Sequence, residues 1–153
     1  MFTAPRFSRS RRTAPGRRAA QARRRGAALV EFAIVTPVLL VLVLGMIEVG
    51  RAVMVTEVLT YAARMGARTG SISSGSTAGA VAAANRVLTD SNLPGATVQI
   101  LVNGSSVNDA ATAKSGDEIT VNVSIPYANV TWLSNPEYLN GKSLSGRVVM
   151  RKE

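Results

Sequence analysis

Glu31 is the only charged residue between Ala27 and Ile47, a run of 21 residues dominated by Leu, Ile, Val and Phe. An unpaired carboxylate among apolar helices is costly, and an arrangement that pairs it with a cation is favoured. Gly26 stands five residues before it, preceded directly by Arg23, Arg24 and Arg25, and Phe32 follows it. The junction is therefore a step from dense positive charge to a membrane-length apolar stretch, with one acid just inside. A second charged pair, Glu48 and Arg51, lies three residues apart immediately past that stretch. Such spacing permits an ion pair on one helical face. The same two residues also mark the outer edge of a membrane span, and that is the role favoured for them.

The residues of most enzymatic chemistry are missing. The chain has no His and no Cys, which removes the commonest general base and the commonest metal ligands. Gly141-Lys142-Ser143 has Pro136 where a phosphate-binding loop needs its first glycine. Nothing in the spacing sets Lys114 or Lys142 beside a serine as a hydrolytic dyad. The chain is expected to be non-enzymatic, and no cofactor or metal is implied.

Charge divides the sequence sharply. Residues 1–25 hold nine arginines and no acid, while residues 26–153 hold nine basic and nine acidic residues, so the net charge of +9 lies ahead of Gly26. Arginines flanking a span keep their side in the cytoplasm, which sets the N-terminus inside and the C-terminal part outside. The same composition fits a mitochondrial transit peptide, which a eukaryotic source would be needed to support. A secretory signal fits less well, because its apolar region is shorter, and Arg11-Arg12 stands too far from the apolar run for a twin-arginine signal. Groove-reading motifs are absent, so nucleic acid is not an expected partner.

These residues need elements to hold them. At 1.5 Å per residue a 21-residue helix reaches about 30 Å, the thickness of a bilayer core. Residues 27–47 are accordingly expected to form one transmembrane helix, residues 1–26 a disordered basic leader, and residues 48–153 a head beyond the membrane. The helix should continue over 48–69, with a kink near Pro37 where an N–H is lost. Ala62, Gly66 and Gly70 make a row of small residues that suits close approach of another backbone, either a neighbouring subunit or the head's own elements. An Ala-rich helix is expected over 77–90. Strands are expected over 96–103, 117–126 and 144–151, each with one apolar face by alternation. The loops between them, 103–116 and 126–142, the latter carrying Trp132, have no chemistry assignable from sequence. The fold class is α+β, with a small three-stranded antiparallel sheet packed on helix. Without cysteine, such a head must be held by its own core, by neighbouring subunits, or by both.

Gly26 followed by Glu31 at the edge of an apolar helix resembles the class III signal cut by prepilin peptidases. The ordered set Arg24-Arg25-Gly26-Ala27-Ala28-Leu29-Val30-Glu31-Phe32-Ala33, Pro37-Val38-Leu39-Leu40, Gly45-Met46-Ile47-Glu48-Val49-Gly50-Arg51-Ala52 and Ala62-Ala63-Arg64-Met65-Gly66-Ala67-Arg68 is similar to the TadE-like family. That resemblance implies a pilin-like long N-terminal helix and a minor pilin or pseudopilin of the Tad/Flp pilus system. It implies cleavage between Gly26 and Ala27 by a prepilin peptidase. It also implies pairing of Glu31 with the N-terminal amine of a neighbouring subunit, and partnership with other pilin-like subunits and the inner-membrane assembly platform. Phe32 departs from the tyrosine that many Tad substrates carry, keeping the ring and losing the hydroxyl. The alternative is an uncleaved, single-pass module that displays its head for surface binding.

Overall fold

A computed structural model describes residues 16–106, 109–132 and 141–153, with side chains described from Gly26 onward. The element order is helix α1 (Gly16–Ser71), helix α2 (Thr77–Asp90), and strands β1 (Thr97–Val102), β2 (Ser105–Ser106), β3 (Glu118–Pro126) and β4 (Ser143–Arg151). Two short 3-10 turns, Ala110–Thr112 and Tyr127–Asn129, flank β3. The chain divides into two compact units, Met1–Val43 and Leu44–Glu153.

The first unit, as far as it is described, is helix. α1 starts at Gly16, eleven residues before Ala27, where the helix was expected to begin. Three alanines and a glutamine interleaved with arginines are all good helix formers, and Pro15 directly ahead of the first turn is a natural start. The leader's expected disorder over 1–26 is therefore corrected for 16–26, which are helical, while residues 1–15 lie outside the described part. α1 also continues through Pro37. The Thr36 hydroxyl donates to the Phe32 carbonyl at 2.6 Å, a back-bond that accompanies slight helix bending.

The second unit is an antiparallel sheet covered on one face by helix. Its strand order is β2-β1-β3-β4, so β3 is central, with Val121 paired to Ile100 on one side and Val148 on the other. Alternation works as expected on β3: Ile119, Val121, Val123 and Ile125 are fully buried. They meet Val55, Leu59, Ala62, Ala63 and Ala67 of α1 and Ala80, Ala84 and Leu88 of α2 in one core. A fully buried Leu such as Leu59 contributes roughly 1.5–3 kcal/mol.

The sheet has four strands where three were expected. The extra strand comes from Asn103-Gly104, both at positive φ (49° and 79°), which pair Val102 with Ser105 across a two-residue turn. Asn-Gly is the strongest short hairpin signal because both turn positions must tolerate left-handed backbone. The two-serine strand that follows carries no hydrophobic alternation to announce it.

Close approach explains the small residues. A side chain at Gly146 of β4 would collide with the backbone of Leu59 and Thr60 on α1. The row of Ala62, Gly66 and Gly70 faces inward: Ala62 is fully buried. A Cβ on Gly66 would lie 3.0 Å from the Ala80 carbonyl and 3.4 Å from Val121, and one on Gly70 3.4 Å from Ala80 and Ile119. Within this unit the row thus packs α1 against α2 and β3.

The end of β4 closes the structure. Lys152 is buried, and its Nζ donates to the carbonyls of Gly70, Gly75 and Ala110 at 3.1–3.3 Å. These are a last-turn carbonyl of α1, a loop carbonyl and the first carbonyl of the Ala110–Thr112 turn, groups that a cation satisfies well. The backbone N–H of Glu153 donates to Ser71 at 2.8 Å, tying strand end to helix end.

Candidate functional site

Two regions of α1 concentrate the residues singled out in the sequence, and each belongs to a different unit. In the first, residues 26–43 are solvent-exposed apart from half-buried Thr36. Phe32 is 66% exposed, and Leu39, Leu40 and Val41 are likewise uncovered. Glu31 is exposed and, among the described residues, has no hydrogen-bond or ion-pair partner. A Cβ at Gly26 would meet nothing within 4 Å. Side chains of Arg23, Arg24 and Arg25 lie outside the described set. The most apolar stretch of this helix is long and apolar enough to cross a membrane, and none of it is buried by protein.

The second region is a clasp at the far end of the apolar run. Glu48, one residue past Ile47, is buried at 7% exposure. The Tyr127 hydroxyl donates to its carboxylate at 3.0 Å. The Thr131 side chain and the Trp132 backbone N–H donate to it as well, and Arg51 adds its charge nearby. The Thr131 hydrogen bond is the largest influence. Together with the Tyr127 and Trp132 donors and the Arg51 charge it outweighs burial and holds the Glu48 carboxyl below the usual carboxylate range.

Arg51 completes the clasp from the next turn. Its Nε donates to the Val130 carbonyl, and its guanidinium lies over the Trp132 ring, 4.6 Å from the centroid, within cation–π range. Sequence spacing suggested either a direct Glu48–Arg51 pair or two independent boundary charges. The structure has both residues grip one segment, Tyr127–Trp132, from neighbouring positions of α1, a placement compatible with the boundary role. That segment falls in the loop to which no chemistry was assigned. Its only sequence signal was Trp132, the single tryptophan, standing six residues after the alternation of 117–126 had stopped.

Beyond the clasp, the outward face of α1 stays open. Val49, Val53, Met54 and Tyr61 are all more than half exposed. Open clefts of about 550 and 770 Å³ share Glu57 and Tyr61 as their common wall. Among the described residues, no group of His, Cys, Asp and Glu has the arrangement of a metal site.

With this geometry in place, comparison with known proteins is informative for α1. Residues 26–68 match the family model described as TadE-like protein. The first helix is thus similar to the TadE-like family over these residues. The matched stretch opens on Gly26 and takes in Glu31, Phe32, Pro37, Glu48, Arg51, Ala62 and Gly66, stopping two residues short of Gly70. The TadE-like stretch thus spans both regions just described, while α2 and all four strands lie outside it. No curated protein and no solved structure matches the chain.

Proposed function

We propose that this chain is a minor pilin or pseudopilin of a Tad/Flp-type pilus, matured by a prepilin peptidase between Gly26 and Ala27. In this reading it is inserted with the N-terminus in the cytoplasm and the head outside. It works in pilus assembly, without catalysis, alongside other pilin-like subunits and the inner-membrane platform. The observation that carries the proposal is the TadE-like match, which begins on Gly26 and covers the apolar helix.

Physical chemistry supports it at three points. Glycine inside a helix costs roughly 1 kcal/mol relative to alanine, and no described neighbour needs the space at Gly26. A protease that must reach bare backbone does need it. Cutting there removes all nine leader arginines, the charges that hold the helix to the cytoplasmic side. It also creates an amine at Ala27, and Glu31 of an adjacent subunit, partnerless among the described residues of its own chain, is the complementary charge. The exposed outer face of α1 around Tyr61 extends the packing surface for such a neighbour.

One observation favours the uncleaved, membrane-anchored binding module. α1 runs unbroken from Gly16 through Gly26, and a peptide bond held in helical hydrogen bonds is a poor protease substrate until it unwinds. Intact mass and N-terminal sequencing of the protein from native membranes, with and without the prepilin peptidase, decide between the two. A chain beginning at Ala27 only when the peptidase is present is the expected result; a full-length chain in both strains overturns it.

A further inference from the structure

Trp132 is 69% exposed, yet its position is fixed from several directions. Its backbone N–H donates to the Glu48 carboxylate, its ring lies against the Arg51 guanidinium, and the preceding Val130 carbonyl accepts from Arg51 Nε. Nothing in the core asks for this indole, because the clasp buries Tyr127 and Val130 and presents the tryptophan outward. An aromatic residue held firmly in an exposed place is positioned for something outside the chain.

Its depth indicates what that is. In the same compact unit the apolar run ends at Ile47, with Leu44, Met46 and Ile47 about half exposed or more. Trp132 is bonded at the level of the next residue, Glu48. Arg51 lies four residues past Ile47, about 6 Å along the axis at 1.5 Å per residue, and helical side chains lean toward the N-terminus, here toward the apolar run. The polar layer of a bilayer is roughly 5–7 Å deep on each side of its hydrocarbon core. Tryptophan is enriched in that layer because its apolar body and single N–H match an environment wet on one side only.

We infer that Trp132, held by Glu48 and Arg51, is an interfacial anchor that seats the head in the glycerol and phosphate layer of the membrane its helix crosses. The occupant of this face is lipid, in continuity with the exposed apolar residues Leu44, Met46 and Ile47 of the same unit. The inference rests on residues 27–47 spanning the membrane and is independent of cleavage or of any pilus. It gives the 127–132 loop a purpose: to carry one aromatic ring from the sheet to the foot of the head.

Trp132 is the only tryptophan, so emission from the full-length protein reports this residue alone. The protein is reconstituted at low protein-to-lipid ratio into phosphatidylcholine and phosphatidylglycerol vesicles, with flotation confirming insertion. Lipids brominated at shallow or deep chain positions then quench from the membrane, and acrylamide quenches from water. The expected result is blue-shifted emission, stronger quenching by shallow than by deep bromines, and several-fold protection from acrylamide. Arg51→Gln, which frees the ring while leaving Glu48 in place, should weaken both the bromine quenching and the protection. Vesicles that float with water-like, bromine-insensitive emission overturn the anchor while the span stands. Blue-shifted emission without bromine quenching that grows with protein density overturns it in favour of contact with another subunit. Failure to float overturns the span and the anchor together.

Discussion

Two of the glutamates on α1, Glu31 and Glu48, stand seventeen residues apart, and they are treated oppositely. Glu31 stands bare on an uncovered apolar helix, partnerless among the described residues. Glu48 is buried, accepts from Tyr127, Thr131 and Trp132, and has its carboxyl held low. The helix glycines divide similarly, Gly26 and Gly45 touching nothing while Gly66 and Gly70 sit against backbone or side chain; Gly50, just past Glu48, also has open space. The outer half of the helix has spent its special residues on its own fold. The apolar half has kept its special residues for something else, which is why the two halves answer differently to the same substitutions.

Alanine at Gly146 should show the largest effect. It forces β4 off the Leu59–Thr60 backbone, and overpacking of this kind costs typically 1–3 kcal/mol and occasionally more. Alanine at Gly45 has open space around it and should leave the head untouched, if anything favouring the helix by up to about 1 kcal/mol. Denaturant unfolding of the two full-length variants in detergent, followed by near-ultraviolet circular dichroism, makes the comparison. Equal losses would erase the distinction between the halves.

Glu48→Gln should come next, at roughly 1–2 kcal/mol near neutral pH, since it weakens charge-assisted hydrogen bonds in a buried place. Its pH dependence follows from the lowered folded-state pKa. The ionised form is the one the fold prefers, so the stabilisation is complete above the ordinary carboxylate value and disappears as pH falls through the depressed one. Asp109 and Asp117 are also held low, by the N–H groups of Ala111 and Thr77 and by Asn103 and Lys114 respectively. Wild type should therefore lose stability in acid for several reasons. The gap between wild type and Glu48→Gln isolates one of them, and it should close as the melting temperature is followed from pH 7 downward. A gap that persists in acid would mean the charge is not what Glu48 supplies.

Glu31→Gln should have the smallest effect on the head, no measurable change in its unfolding midpoint, while reducing incorporation with other pilin-like subunits in a pulldown from native membranes. Loss of head stability in that variant would show that the apolar half is not independent of the fold.

The same contrast explains what the sequence made legible. Alternation on β3 was readable because four inward residues in a row are apolar, and the Gly26–Glu31 junction because charge and apolarity change there within a few residues. The β1–β2 hairpin was missed although Asn103-Gly104 announces its turn, because the strand after it is only two serines. The clasp was missed for a different reason. Its donors come from residues 127–132 and its acceptor from residue 48, a closure across about eighty residues that no local pattern encodes. Lys152 was unreadable in the same way: a lysine near the end of a strand looks solvated until three distant carbonyls converge on it.

The close fit of Gly146 against Leu59 and Thr60 also sets a clock. Those α1 residues are made roughly ninety residues before the glycine that covers them. At synthesis rates of about 5–20 residues per second, the inner face of the helix waits about 4–18 seconds for its last strand. During that interval the same small, sticky surface is open to whatever else is near the nascent chain, so the speed with which β4 arrives decides how often the head meets the wrong helix first.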